Sequence, residues 1–473
     1  MAKDLRHWLD QIEQMEELRA VDGADWNLEM GAISALGAQK ENNPALIFDK
    51  IKGYPEGFRV VTRSLSTRSR IEVTFGLEKS ATNLDLVKAM RGKLPGWEKM
   101  LHQFPFEEVG TGPVLENIKS GQDVDLFEFP VPKWHEKDGG RYIGTGDAII
   151  TQDPETGEVN LGTYRIMVHD KKTAALHISP GKHGRIHYEK YHTLGKPCPV
   201  AMSFGHHPLM FGAGCMELLP GQEYPFVGAV TGQPVQVIRE EITGLPIPAH
   251  SEIVAVGWVP PGETRVEGPF GEWTGYYASK EQKSPIAEIE RIYHRNRPIL
   301  LGTPPGLPPA ENSLFEAVKN SVVLWNALDR SDVPDVKGVW MSEFGQQQFV
   351  IVSIKQRYHG HARQAAFAAS QNRPAAYHGR YVIVVDDDID PSEMNQVLWA
   401  LSTRSDPEKD IDIIRRAWST PLDTMIRKPA DAYVNSRAVI DACKPYEWIK
   451  DFPEAIRIGP ELAARVKKKW PDI

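Results

Sequence analysis

The sequence predicts a multidomain protein of mixed α/β and α+β structure with a β-barrel or sandwich at its centre. Three patterns carry this expectation. An amphipathic helix and short strands open the chain, strand-like runs broken by Gly/Pro turns fill residues 111–305, and a strand–helix–strand alternation follows a proline-rich linker. At 473 residues the chain is long enough for two or three domains and a large core.

In the first region, 1–110, Leu5, Trp8, Leu9, Ile12, Met15 and Leu18 recur at helical spacing and predict an amphipathic helix. Ala45 to Phe48 and Phe58 to Thr62 read as strands, and Leu84 to Met90 as a helix. This region is expected to be an α/β domain. The second, 111–305, contains the strand-like runs Ala148 to Thr151, Tyr164 to Val168, Ala201 to Phe204 and Ile253 to Val259. The linker Pro304-Pro305-Gly306-Leu307-Pro308-Pro309 then leads into 306–473, an expected α/β domain. There Ser313 and Glu316 form a capping-box pattern ahead of the apolar stripe Leu314, Val318, Val322 and Trp325. Phe349 to Ile354, His361 to Ser370 and Tyr381 to Val385 predict a β-α-β unit. Asp390, Pro391 and Glu393 read as cap, first turn and third position of the next helix, and Glu461 to Lys469 as a basic terminal helix. The run Asp386-Asp387-Asp388 either solvates a strand end and favours the helix start or binds a cation.

Composition is ordinary for a soluble globular protein, and a net charge of −8 argues against general nucleic-acid binding. No apolar run approaches ~18 residues, so no membrane span is expected. The amino terminus lacks a signal-peptide pattern. Cys198, Cys215 and Cys443 lie far apart, which fits a reducing cytoplasm and buried thiols.

There is no G-x-G-x-x-G, Walker lysine loop, G-x-S-x-G elbow or H-E-x-x-H helix. Two segments do suggest chemistry. Glu267-Gly268-Pro269-Phe270-Gly271-Glu272 sets two carboxylates five residues apart on a Gly/Pro turn. Paired carboxylates at one spot acquire different proton affinities, which suits acid/base work, while an exposed hairpin would leave them as surface acids. The run Asn160 to Asp170 reads as a strand interrupted at Gly162, with Arg165 among apolar residues. An inward Arg165 needs an anionic partner, and Glu267 and Glu272 are available; an edge-strand Arg165 would reach solvent. Gripping one acid would lower its proton affinity and leave the other able to carry a proton. Asn160 and Arg165 fall on opposite faces of a regular strand, so a bulge at Gly162 is needed to bring them together. Histidines such as His183, His187, His206 and His207 fall in expected loops, where surface positions are usual. A mixed set of Asn160, His183 and Glu223 would suit manganese or magnesium better than zinc.

The combination Asn160-x4-Arg165, His183, Glu223 followed by Val227-Gly228-Ala229-Val230-Thr231-Gly232, and Glu267-Gly-Pro-Phe-Gly-Glu272 resembles the UbiD-type reversible (de)carboxylases. The resemblance covers most of the chain and extends to Val384 to Asp390 and Leu398 to Arg404. It implies a central split β-barrel that binds prenylated FMN, flanked by N- and C-terminal α/β domains. It implies Arg165, Glu267 and Glu272 as the catalytic set, with Glu272 as the acid that protonates carbon after CO2 leaves. Asn160, His183 and Glu223 match metal positions for Mn2+ or Mg2+, with K+ nearby. Cofactor contacts are implied at Asn160, Thr163, Tyr164, Arg165, Lys182, His183 and Glu223. A flavin prenyltransferase would supply the cofactor, and the C-terminal domain would build a homodimer or homohexamer. Two departures stand out. Asn395 takes a position where some relatives carry a phosphate-region lysine, and Lys182 one where fungal relatives carry a neutral amide. Lys182 would meet a polar or anionic substituent on the substrate, or else phosphate or solvent. The expected substrate is therefore an aromatic or heteroaromatic acid. The alternatives are a cinnamate-like acrylic acid, a non-catalytic flavin-binding or assembly role, and a metal-dependent hydrolase.

Overall fold

The computed structural model describes residues 4–40, 42–278, 280–426 and 433–471. Leu5, Trp8, Leu9 and Ile12 bury one face of helix Leu5–Gln14, and the Asp4 carboxylate caps it by accepting from the His7 N–H. The expected stripe continues to Leu18, but Glu16 adopts a left-handed φ of 60° that ends the helix, and Leu18 begins a strand. Strands Leu18–Asp22, Ala45–Asp49 and Arg59–Thr62 lie side by side, and Ile299–Gly302 completes the sheet in parallel with Arg59–Thr62. Helix Asn83–Met100, capped by Thr82, packs on helix Ser313–Arg330. Through these helices one apolar core runs from the first residues into the last third of the chain.

The middle of the chain builds a ten-stranded sheet. Its main order is Arg141–Gly144, Arg165–Val168, Thr173–His177, Gln282–His294, Ile253–Val259, Cys198–Ser203, Ala148–Gln152 and Val159–Gly162. Strands Asn117–Ser120 and Thr264–Glu267 pair with the long strand Gln282–His294. Val159–Gly162 ends the order, and Arg165–Val168 lies next to its other end. Only Thr163 and Tyr164 join them, a link of roughly 10 Å at full stretch. The sheet must therefore curl until its two ends nearly meet, and it forms a half-barrel.

This corrects the expected bulge at Gly162. Asn160 and Arg165 sit on different strands with different partners, so the pleat argument for a single strand does not apply.

A third sheet, of five strands, has the order Val336–Met341, Phe349–Ile354, Tyr381–Asp386, Val434–Ala442 and Ile411–Trp418. The expected β-α-β unit is present: Phe349–Ile354 and Tyr381–Asp386 are parallel neighbours joined through helix His361–Gln371. Two helix starts differ from expectation. Asn312, not Ser313, precedes helix Ser313–Arg330; Ser313 bonds back to the Ala310 carbonyl, and Glu316 pairs with Lys319. Asp390 closes a turn by accepting from Ser392, and helix Met394–Arg404 starts later. Asp386 and Asp388 grip the buried Arg404, which gives the acidic run a structural cation. All three cysteines are free thiols, and among the described residues no helix is long and apolar enough to cross a membrane.

Candidate active site on the curled sheet

Four strand ends converge where Arg165 emerges. Arg165 faces His177 in register on the neighbouring strand, and Glu267 faces Gln282. The Arg165 guanidinium donates from Nε and Nη2 to the two Glu267 oxygens at 2.8 and 2.9 Å, a bidentate fork. Its Nη1 donates to Glu272 Oε1 at 2.8 Å. One arginine thus holds both acids, where a grip on one alone was expected. The acids still differ: Glu267 is fully buried and takes two bonds, while the Glu272 side chain is 12% exposed and takes one from Arg165.

The turn between the acids is built for this. Gly268 has φ +86°, and a Cβ on the facing Gly139 would lie 2.0 Å from the Gly268 carbonyl oxygen. Phe270 lies under the Arg165 guanidinium at 5.3 Å and packs against Tyr142 at 4.0 Å. Tyr142 donates its hydroxyl proton to Glu267 Oε1 at 2.9 Å.

Electrostatics follow from burial and partners. Burial raises the proton affinity of Glu267, but the Arg165 bonds outweigh it and hold the carboxyl below its usual range. Burial opposes the Arg165 charge, yet the two acids leave it firmly protonated. His177, 3.8 Å from Glu267, is pushed down to about 4 by burial and then by Arg165, so it is neutral. Burial, then Glu267, raises the Tyr142 hydroxyl, which stays protonated and donates.

On the other side of the two-residue link lie Asn160, His183 and Glu223. The Tyr164 hydroxyl accepts from the N–H of Gly184, the residue after His183, at 3.1 Å and lies 3.5 Å from Asn160 Nδ2. Tyr164 also feels the Glu223 charge. A Cβ at Gly162 or Gly184 would strike the Tyr164 ring, and one at Gly214 would lie 2.7 Å from Thr163 Oγ1. Thr163 and Tyr164 are tied to Asp147, whose burial raises its proton affinity well above normal.

Glu223 begins helix Glu223–Thr231, and His183 begins helix His183–Thr193. Glu223 is 5% exposed, its Oε2 has no hydrogen-bond partner among the described residues, and burial pushes it up to about 7. His183 is lowered by burial and then by Lys182, which keeps it neutral and able to ligate. A buried carboxylate oxygen with no hydrogen-bond partner among the described residues, a neutral imidazole and an amide are hard O/N donors of the kind a divalent cation takes. Among the described residues no trio of His, Cys, Asp or Glu converges as a metal cluster.

Lys182 is exposed at the start of the His183–Thr193 helix, and its charge is felt by Cys215 and His378. His378 meets Trp273, the neighbour of Glu272, edge-on at 4.8 Å. Asn395 is exposed on helix Met394–Arg404. His187, His206 and His207 are buried rather than on surface loops, and His187 is bonded to Thr151.

Tyr142, His177, Phe270 and Gln282 were not picked out from the sequence. Tyr142 and His177 arrive on separate strands, and only their pairing with the Arg165 strand brings them in. Phe270 was visible inside the turn but had no assigned contact.

Comparison with known proteins adds the family. Models of the 3-octaprenyl-4-hydroxybenzoate carboxy-lyase N-terminal, Rift-related and C-terminal domains match residues 9–90, 107–308 and 314–442. The chain is 32% identical to a phenolic acid decarboxylase of Sedimentibacter hydroxybenzoicus, covering 94% of this chain and 92% of that one. It is 34% identical to a pyrrole-2-carboxylic acid decarboxylase of Pseudomonas aeruginosa, covering 86% and 84%. Among solved structures, an evolved dimeric form of the UbiD-class enzyme HmfF from Pelotomaculum thermopropionicum, in complex with prFMN, superposes with a TM-score of 0.82 at 27% identity over 98% of both chains. With all three domain models matched in order over most of its length, the chain belongs to the UbiD carboxy-lyase family.

Proposed function

We propose that the protein is a reversible, non-oxidative decarboxylase of an aromatic or heteroaromatic acid that uses prenylated FMN. The observation that carries this is the Arg165 guanidinium bonded at once to Glu267 and Glu272 on the curled sheet, in a chain related to phenolic and pyrrole-2-carboxylic acid decarboxylases. In this reading the half-barrel is a split barrel between N- and C-terminal α/β domains, with units at 1–110, 111–305 and 306–473.

Asn160, His183 and Glu223 would hold Mn2+ or Mg2+ at the cofactor phosphate, with K+ nearby. Thr163, Tyr164, Arg165 and Lys182 would complete the cradle. When bound, prenylated FMN supplies the electron sink for the charge left on carbon as CO2 departs. The chain's own residues do the rest. Glu272 gives a proton to that carbon and takes it back in the reverse direction. Arg165 orients Glu272, and Glu267, with Tyr142, fixes Arg165. The packed Phe270 and Tyr142 rings keep water from the arginine's flank. The neutral His177 leaves Arg165 as the charge facing Glu267.

The exposed, cationic Lys182 favours an acid carrying a polar substituent. A flavin prenyltransferase would supply the cofactor in a cytoplasmic setting, to a homodimer or homohexamer. The test is protein co-expressed with such a prenyltransferase and screened for CO2 release and H/D exchange on benzoic, pyrrole, furan, indole and cinnamic acids. Turnover of a ring acid with flavin bound is the expected result. Glu272→Gln should keep the flavin absorbance and lose about 10²–10⁴ in rate. A Glu272→Gln enzyme at full speed would remove the assigned proton role.

A further inference from the structure

A cavity of about 310 Å³ opens away from the arginine site, between helices Pro208–Cys215 and Glu223–Thr231 and strand Gln236–Arg239. Its buried wall includes His206, His207, Met210, Val227, Pro248 and Ser251. Glu107, Gln233 and Gln236 stand exposed at its rim, and Asp4 lines its side.

His206 and His207 are 2% and 7% exposed, and the Nε2 atom of each lacks a hydrogen-bond partner among the described residues. His207 Nδ1 accepts from the Leu209 N–H at 3.1 Å, so its proton sits on Nε2. That Nε2–H is a buried donor with no acceptor among the described residues. His206 Nδ1 shares a 3.0 Å bond with the Ser203 hydroxyl, which leaves its Nε2 as a second unpartnered polar atom. A buried polar atom left without a partner is costly, and such atoms are rare unless something fills the role.

We propose that this cavity is a second ligand site, for a small neutral molecule with an apolar or aromatic body and one hydrogen-bond acceptor, such as a phenol or an aryl carbonyl. Three features select that class. The exposed Glu107 carboxylate at the rim disfavours anions, including a benzoate-type acid, while Asp4 is already paired with Arg295. The His207 Nε2–H repels cations and cannot ligate a metal as it stands. Met210, Val227, Val235 and Pro248 give the body an apolar seat. Volumes of this size suit ligands of that scale. Burial holds both imidazoles neutral, down to about 3, in keeping with a neutral guest.

The site is joined to the metal-side residues by one rigid element. Helix Glu223–Thr231 carries Glu223 at one end and presents Val227 and Thr231 to the cavity, over roughly 13 Å.

The experiment titrates 4-fluorophenol into the full-length chain and follows 19F NMR. His207→Asn keeps a side-chain acceptor for the Leu209 N–H and deletes the Nε2–H donor; it should weaken binding about tenfold. Gln236→Trp blocks the exposed rim without disturbing the buried wall and should abolish binding. If His207→Asn does not fold, Gln236→Trp decides. Wild-type binding that both variants weaken, and that 4-fluorobenzoate does not displace, supports the site. No wild-type binding, equal binding in the folded variants, or displacement by 4-fluorobenzoate at equal affinity overturns it.

Discussion

Two buried carboxylates on either side of the Thr163–Tyr164 link meet opposite electrostatic fates. Glu267 has its cation built in: Arg165 forks onto it, and its carboxyl stays below the usual range. Glu223 has none among the described residues, and burial pushes it up to about 7. The first region is closed by the chain's own residues. The second leaves a buried carboxylate oxygen with no hydrogen-bond partner among the described residues. A carboxylate satisfied from within is suited to orienting a neighbour, whereas one left wanting is suited to binding.

The strongest way to break this contrast is to remove the internal cation. Arg165→Leu should cost about 3–5 kcal/mol in urea unfolding, because it strands Glu267 buried and unpaired. A loss below 1 kcal/mol would mean that Glu267 has another counter-charge. Supplying the external cation tests the other side. Mn2+ should raise the thermal midpoint of the wild-type chain, and Glu223→Gln should remove most of that rise. An equal rise in both proteins would place the metal elsewhere.

A pH scan sharpens the arginine region further. His177 binds its proton at about 4 in the fold against 6.5 ordinarily. The unfolded chain therefore holds more protons between those values, and stability falls as pH drops from about 6.5 through 4, by an amount of order 2–3 kcal/mol. His177→Gln should flatten that part of the stability curve; an unchanged slope would assign it to other groups. The smallest effect is expected from Tyr142→Phe, which deletes one bond to Glu267 and should cost about 1 kcal/mol with the fold intact.

The acid side of the site was more legible from sequence than the metal side. Glu267 and Glu272 are close in the chain, on a turn whose glycines and proline announce a fixed geometry, and Arg165 stood out as a charge among apolar residues. The need for both acids to share Arg165 was not visible, because it depends on where four strand ends converge. On the metal side the sequence alone offered only separated residues, and resemblance had to select them. Asn160 and Arg165 lie on different strands that the sheet curls together through the Thr163–Tyr164 link, which a single-strand reading of 160–170 could not express. Helix starts at Ser313 and Asp390 were misjudged because side chains with capping ability found nearer partners, the Ala310 carbonyl and the Ser392 N–H. Tyr142 carried no local signal at all.

Strand Ile299–Gly302 has a consequence for the order in which the molecule is made. It completes a sheet whose other three strands all lie before residue 63. As the chain leaves the ribosome, that first sheet has an open edge beside Arg59–Thr62 until the whole middle region has been synthesised. The opening segment and the curled sheet are thus fastened together late, by a contact of very long sequence separation. By the time the first sheet is completed, the segment that carries Glu267 and Glu272 has already emerged.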